Sequence, residues 1–125
     1  MKWNLFIDDE RMPLDVTWGT FQEQAAYRDN EWFIARNLED VINLIKGFGM
    51  PSLISFDHDL GEDSKYNGYE ILQKITDMIL DGDYKLPNNF QFIVHSKNPV
   101  GATNIRHYMN NFLKHMEGLN ESSTH

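Results

Sequence analysis

The sequence predicts an α/β fold organised on a mostly parallel sheet of about four strands, and three observations lead there. Four short apolar runs have strand length: "WNLFI" at 3–7, "WFIAR" at 32–36, "SLISF" at 52–56 and "FQFIVH" at 90–95. Helical periodicity occupies stretches between and after them, and strands alternating with helices of this length pair in parallel through crossover connections. Gly, Pro and Asn mark the joins.

Taken in order, the first run ends abruptly at Asp8. The segment that follows, Asp9 to Glu31, shows no sustained period, because Pro13, Gly19 and mixed polarity interrupt it; it reads as irregular structure lying over the sheet edge. After the second run, Leu38, Val41, Ile42, Ile45 and Phe48 share one helical face, with Asn37 as N-cap and Gly47, Gly49 and Pro51 ending the helix. Ile71, Leu72, Ile75, Met78 and Ile79 turn inward on a second helix that starts near Asn67 and stops at Gly82. The last helix carries Ile105, Tyr108, Met109, Phe112, Leu113 and Met116, with Gly118 as its end and no fifth strand beyond it. The organisation expected is one domain over 1–118 and a frayed tail over 119–125, where "NESSTH" has no core-forming residues.

At 125 residues with 41% hydrophobic and 13% aromatic content, the chain has enough apolar surface for a core of its own. A net charge of −8 opposes the basic footprint that duplex DNA requires. The absence of cysteine excludes disulfides, thiolate catalysis and cysteine-based zinc sites. The opening "MKWNLFIDDER" is unlike a signal peptide and no apolar run reaches membrane-spanning length, so a cytoplasmic protein without a membrane partner is expected. Nothing in the sequence sets an oligomeric state.

In open parallel sheets, ligands bind beyond the carboxyl ends of the strands. Asp8, Asp9, Glu10 and Arg11 follow the first strand, Asp57, His58 and Asp59 the third, and His95, Ser96, Lys97 and Asn98 the fourth. One such acidic cluster is ordinary turn and capping chemistry. Two of them ending buried strands are different, because neighbouring carboxylates raise one another's pKa unless a cation or a proton intervenes. Oxygen ligands favour Mg²⁺ or Mn²⁺, and imidazoles nearby would also tolerate a softer metal. Asp8, Asp9 and Asp57 are the expected ligands, with Asp59 either a further ligand or a group behind them.

His58 and His95 keep acidic or hydroxylic company, and each reads either as a proton-transfer group or as a satisfied structural histidine. His107, His115 and His125 read as surface residues, and Glu62 and Asp63 as solvent-facing acids. In "HSKNPVGATN", Ser96 and Asn98 offer neutral hydrogen bonds and Lys97 a point charge; Pro99 and Gly101 shape the turn, and the helix N-terminus that follows suits phosphate. Arg11 either grips the same phosphate or bridges carboxylates.

Three motifs in order, "LFIDDERMP", "LISFDHDLG…NGYE" and "FIVHSKNPVGATN", resemble the cyclic-phosphate-processing receiver-like domains, a divergent branch of the response-regulator receiver fold, from about Asn4 to Arg106. The resemblance implies a shortened flavodoxin-like three-layer sandwich. It matches Asp8 and Asp9 to the receiver acidic pair, Asp57 to the phosphoacceptor position and Ser96 to the hydroxyl after the fourth strand; His58 and His95 are additions to the ordinary receiver. It also implies a link to RNA repair and to the processing of cyclic phosphate ends. The lysine that ordinary receivers carry on a fifth strand has no counterpart, which argues against a phosphorelay switch. "LISFDHDLG" and "FIVHS" are also similar to the first two motifs of haloacid-dehalogenase phosphatases. There, however, the first motif normally opens the domain, whereas here a strand with its own acidic pair and a helix precede it.

The function expected is a Mg²⁺- or Mn²⁺-dependent phosphoesterase that opens a cyclic phosphate, either a 2′,3′-cyclic phosphate RNA end or a cyclic nucleotide. Asp57, His95, His58 and Ser96 are its candidate catalytic residues, Arg11, Lys97 and Asn98 its substrate contacts, and Asp8, Asp9, Asp57 and Asp59 its metal ligands. The alternatives are a module that sequesters a cyclic nucleotide or a partner protein without turnover, a haloacid-dehalogenase-like phosphatase, and a degenerate receiver acting through protein contacts.

Overall fold

In the computed structural model, which describes residues 2–61 and 64–123, four strands form one parallel sheet. They are β1 (Asn4–Ile7), β2 (Phe33–Ala35), β3 (Leu53–Phe56) and β4 (Gln91–Val94), in the order β2-β1-β3-β4. The helices are α1 (Phe21–Asp29), α2 (Leu38–Phe48), α3 (Gly68–Leu80) and α4 (Pro99–Ser123), and a single 3₁₀ turn covers Pro13–Asp15. The expected α/β fold is thus present, with four parallel strands and no fifth among the described residues.

Alternation along the strands assigns the two faces. Leu5, Ile7, Ile54 and Phe56 point into the larger core, where they meet Val41 and Ile45 of α2, Ile71, Leu72 and Ile75 of α3, and Ile105 and Met109 of α4. Phe6 points the other way, against Tyr27 of α1 and Val16, with Trp18, Trp32, Ile34 and Ile93 around them. The molecule is therefore three layers: α1, the sheet, and the group α2 to α4.

Three helices start where side chains can cap them. Asn37 accepts from the Asp40 N–H, and Asn67 and Glu70 form a reciprocal capping box at α3. Thr20 and Glu23 form a second box, and it starts a regular helix, α1, inside the segment expected to be irregular. That expectation fails for a physical reason. The helix buries only Tyr27, so it has almost no apolar stripe for a periodicity argument to find.

One expected stop is narrowed to a single glycine and another fails. Gly47 lies within α2, which closes at Gly49 with φ 81°, and α4 runs through Gly118 to Ser123, so the helix does not end where the proposed tail begins. At both glycines an added Cβ would meet nothing within 4 Å, so neither is required to break its helix. Phe48 is only partly covered, its ring packing on Trp3 and Phe33 at the margin of the core. Glu62, Asp63 and His125 lie outside the described residues, whereas His107 and His115 are exposed, as expected.

Candidate functional site at the carboxyl edge of the sheet

The sheet's own register builds the site. Ile7, Phe56 and Val94 align across β1, β3 and β4, and the ladder continues one residue further: the Asp57 N–H donates to Ile7 O (3.0 Å) and the His95 N–H to Phe56 O (2.9 Å). Asp8, Asp57 and His95 therefore stand side by side at the ends of three adjacent strands. All three are buried, and one potential ligand atom from each lies within 4.8 Å of the others.

Asp8 is the fixed member. Its Oδ1 accepts from the backbone N–H groups of Glu10 (2.9 Å) and Arg11 (2.8 Å), and its Oδ2 accepts from His95 Nε2 (3.0 Å). Burial by itself would push this carboxyl up, but the His95 hydrogen bond and the two backbone donors outweigh it and hold Asp8 well below the usual carboxylate range. Asp57 has the opposite balance. Burial and the neighbouring Asp8 charge raise its pKa, with His95 and Arg11 only partly compensating.

Between the two carboxylates lies the Arg11 guanidinium, Nη1 at 3.4 Å from Asp8 Oδ2 and 3.6 Å from Asp57 Oδ2. Arg11 thus occupies the bridging position that the sequence left open. In front of it is an open cleft of about 490 Å³ lined by Asp9, Glu10, Arg11, Asp57, Asp59, Gly61, Lys97 and Asn98. The cleft combines acids with three side chains that carry hydrogen-bond donors, Arg11, Lys97 and Asn98. Asp9 and Asp57 line the cleft and Asp8 is buried beside Asp57, and these carboxylate oxygens would suit Mg²⁺ or Mn²⁺; the atoms within 4.8 Å of one another are those of Asp8, Asp57 and His95, whose imidazole is already bonded to Asp8.

The remaining candidates divide. Asp59 is exposed at the cleft wall, where it receives His58 Nδ1 at 2.9 Å and lies 3.4 Å from Asn98 Nδ2. His58 is tucked beneath α4: an added Cβ on Gly101 would come within 2.3 Å of the imidazole Cγ, so only glycine lets the ring lie there. Ser96 does not line the cleft, and its hydroxyl accepts from the Asn98 N–H (3.1 Å), shaping the loop. His95 is sealed, its ring stacked on Phe6 at 4.5 Å with both nitrogens engaged inside the protein.

Trp18, Ser55 and Tyr27 belong to this site and were not singled out from the sequence. The Trp18 indole N–H donates to His95 O (2.8 Å), while Lys97 Nζ and Arg11 Cζ lie 4.3 and 5.0 Å from the centre of its ring, so one indole carries both cations of the cleft. The aromatic pair Trp18 and Trp32 flanking a helix-capping Thr-x-x-Glu was the available signal. Nothing local marks Ser55 or Tyr27.

A model of the cyclic-phosphate processing receiver domain family matches residues 3–111. The chain belongs to that family. In this cyclic-phosphate processing receiver domain the haloacid-dehalogenase likeness rests on the ends of β3 and β4 alone, whereas the family match spans all four strands. Among solved structures the domain is similar to the receiver domain of NtrX from Brucella abortus, at 16% identity and TM-score 0.46, covering 89% of this chain and 98% of that one. It is also similar to a longer NtrX chain from Brucella abortus, at 17% identity and TM-score 0.47, covering 99% of this chain but 29% of that one. No curated protein gives a significant match. No helix among the described residues is long and apolar enough to cross a membrane.

Proposed function

We propose that this receiver domain is a divalent-metal-dependent phosphoesterase that opens a cyclic phosphodiester, on a 2′,3′-cyclic phosphate RNA end or a cyclic nucleotide. The observation that carries the reading is the pair of buried carboxylates, Asp8 and Asp57, ending adjacent strands behind a cleft that also presents Arg11, Lys97 and Asn98. A purely structural pair has no need of phosphate donors in front of it.

Asp8, Asp9 and Asp57 would hold Mg²⁺ or Mn²⁺, with Asp59 at the rim; when bound, the ion supplies positive charge that stabilises the phosphoryl oxygens. Arg11 and Lys97 grip the non-bridging oxygens, with Asn98 orienting them. Water adds to phosphorus and gives up a proton to solvent, one P–O(ribose) bond breaks, and the departing oxygen takes a proton. His58 is absent from the cleft lining but is hydrogen-bonded to Asp59 on the cleft wall, and it would supply that proton through Asp59. His95 acts through Asp8.

The test is product formation from cyclic-phosphate RNA and a cyclic nucleotide panel with Mg²⁺ or Mn²⁺, followed by chromatography. Turnover is expected to vanish with chelator and to fall at least ~100-fold in Asp57→Asn. One observation favours a second reading, binding without turnover: the histidine at the end of β4 is closed off from the cleft. Tight binding with no product from any substrate would establish that reading and remove the first.

A further inference from the structure

Behind the carboxylates runs a chain of hydrogen bonds of which the proposed chemistry uses only the His95–Asp8 end. Tyr27 Oη lies 2.5 Å from Ser55 Oγ, Ser55 Oγ lies 2.6 Å from His95 Nδ1, and His95 Nε2 lies 3.0 Å from Asp8 Oδ2. All four residues are buried, and no buried side-chain nitrogen or oxygen among the described residues lacks a partner. Ser55 is the oddity. It sits in the centre of β3, in a strand otherwise made of Leu53, Ile54 and Phe56, where an apolar residue would pack against Phe6 without any hydrogen-bonding obligation.

We infer that Ser55 and Tyr27 are positioning residues of the phosphate site, forming a one-directional hydrogen-bond chain that engages Nδ1 of the His95 ring, seats its Nε2–H against Asp8 and so holds Asp8 in place. The polarity follows from what each group can do. The Asp8 carboxylate only accepts, so the proton between it and the ring belongs to Nε2. With a single ring proton, held on Nε2, Nδ1 is the acceptor, Ser55 donates to it, and the Ser55 oxygen accepts from the Tyr27 phenol. The reverse tautomer would set the Nε2 lone pair against the carboxylate, two acceptors face to face across 3.0 Å.

The surrounding rings cannot take the place of this chain. Phe6 stacks on the imidazole with 8° between planes, which restrains tilt but offers Nδ1 no partner. The Trp18 indole holds the His95 backbone through its carbonyl and not the ring. Tyr27 in turn is seated on Trp32, ring centres 5.5 Å apart, with its edge towards Phe6. Burial pushes its hydroxyl well above the ordinary tyrosine range, so it remains a donor. The chain thus links α1, through the sheet, to the oxygen atoms at the cleft.

The inference rests on the reading of Asp8 as a ligand of the phosphate site only for its consequence, not for the hydrogen-bond polarity. The experiment has two readouts. Long-range ¹H–¹⁵N correlation spectra of the full chain labelled at histidine nitrogens should show His95 as the Nε2–H tautomer. The Nδ1 shift of a hydrogen-bonded acceptor should persist in Ser55→Thr, which keeps the hydroxyl, and move towards that of an unbonded ring nitrogen in Ser55→Ala, with Tyr27→Phe as the milder variant between them. Mn²⁺ affinity by titration calorimetry should fall about tenfold in Ser55→Ala and recover in Ser55→Thr, the scale seen when partners behind metal ligands are removed. An Nδ1–H ring in the wild type, or an Nδ1 shift unaltered in both Ser55→Ala and Tyr27→Phe, overturns the proposal. A wild type that binds no Mn²⁺ overturns the metal reading instead, and the spectra still decide the role of Ser55 and Tyr27.

Discussion

Asp8 and Asp57 are the same residue type at equivalent positions one strand apart, and their surroundings drive them in opposite directions from the ordinary value of 3.8. For the metal-free protein the linkage signs follow. Asp8, lowered in the fold, contributes stability that is present above pH 3.8 and is lost as pH falls through its folded value. Asp57, raised in the fold, costs nothing below 3.8 and becomes a penalty as pH rises through its folded value. Asp57→Asn should therefore stabilise the metal-free protein by about 1 kcal/mol at neutral pH, the gain disappearing below pH 3.8. Asp8→Asn should destabilise it by about 3 kcal/mol, since His95 and Arg11 lose their charged acceptor. Chemical denaturation in chelator across pH measures both. At this scale, residues at strand ends were legible because topology alone sends them to one edge. Ser55 was not, because a strand pattern treats a lone serine as neutral, and its partner Tyr27 is 28 residues away on a helix without a period.

Elements deliver those residues only if their own approach is close enough. α3 starts against the β3 loop, the Gly68 N–H donating to His58 O at 2.7 Å, and a Cβ on Gly68 would lie 1.8 Å from Asp57 O. Gly68→Ala must push α3 off the loop and should cost more than about 2 kcal/mol while moving the Asp57 and His58 amide resonances, both readable from one set of spectra and melts. Gly118 poses the reverse case. Because α4 passes through it with open space around, Gly118→Ala should raise stability by up to about 1 kcal/mol; a loss would mean that the helix ends there after all. The sheet and α2 and α3 were legible as elements because each carries a strong apolar periodicity with a cap at its start. α1 escaped because its burial is confined to one tyrosine, and a capping box alone, Thr20 with Glu23, is a weak signal next to a missing stripe.

For the whole molecule, a net charge of −8 and a cleft lined by four acids make two explanations of cation binding compete: general screening of an acidic protein, and occupation of one site. They separate in the thermal midpoint. A site-bound ion at one hundred times its Kd adds about 2.7 kcal/mol, which for a domain of this size is a rise of about 10 °C. Screening instead depends on ionic strength and acts alike for Mn²⁺ and for NaCl at matched strength. Asp57→Asn sharpens the comparison, since it removes both the repulsion that destabilises the empty site and an oxygen that the ion requires. The variant should melt above the wild type in chelator and below it in excess Mn²⁺, so that the two curves of midpoint against metal concentration cross. Parallel curves, or a rise that NaCl reproduces, would assign the effect to surface charge. A crossing would mean that the strain between Asp8 and Asp57 is maintained for the ion, at the expense of the empty fold.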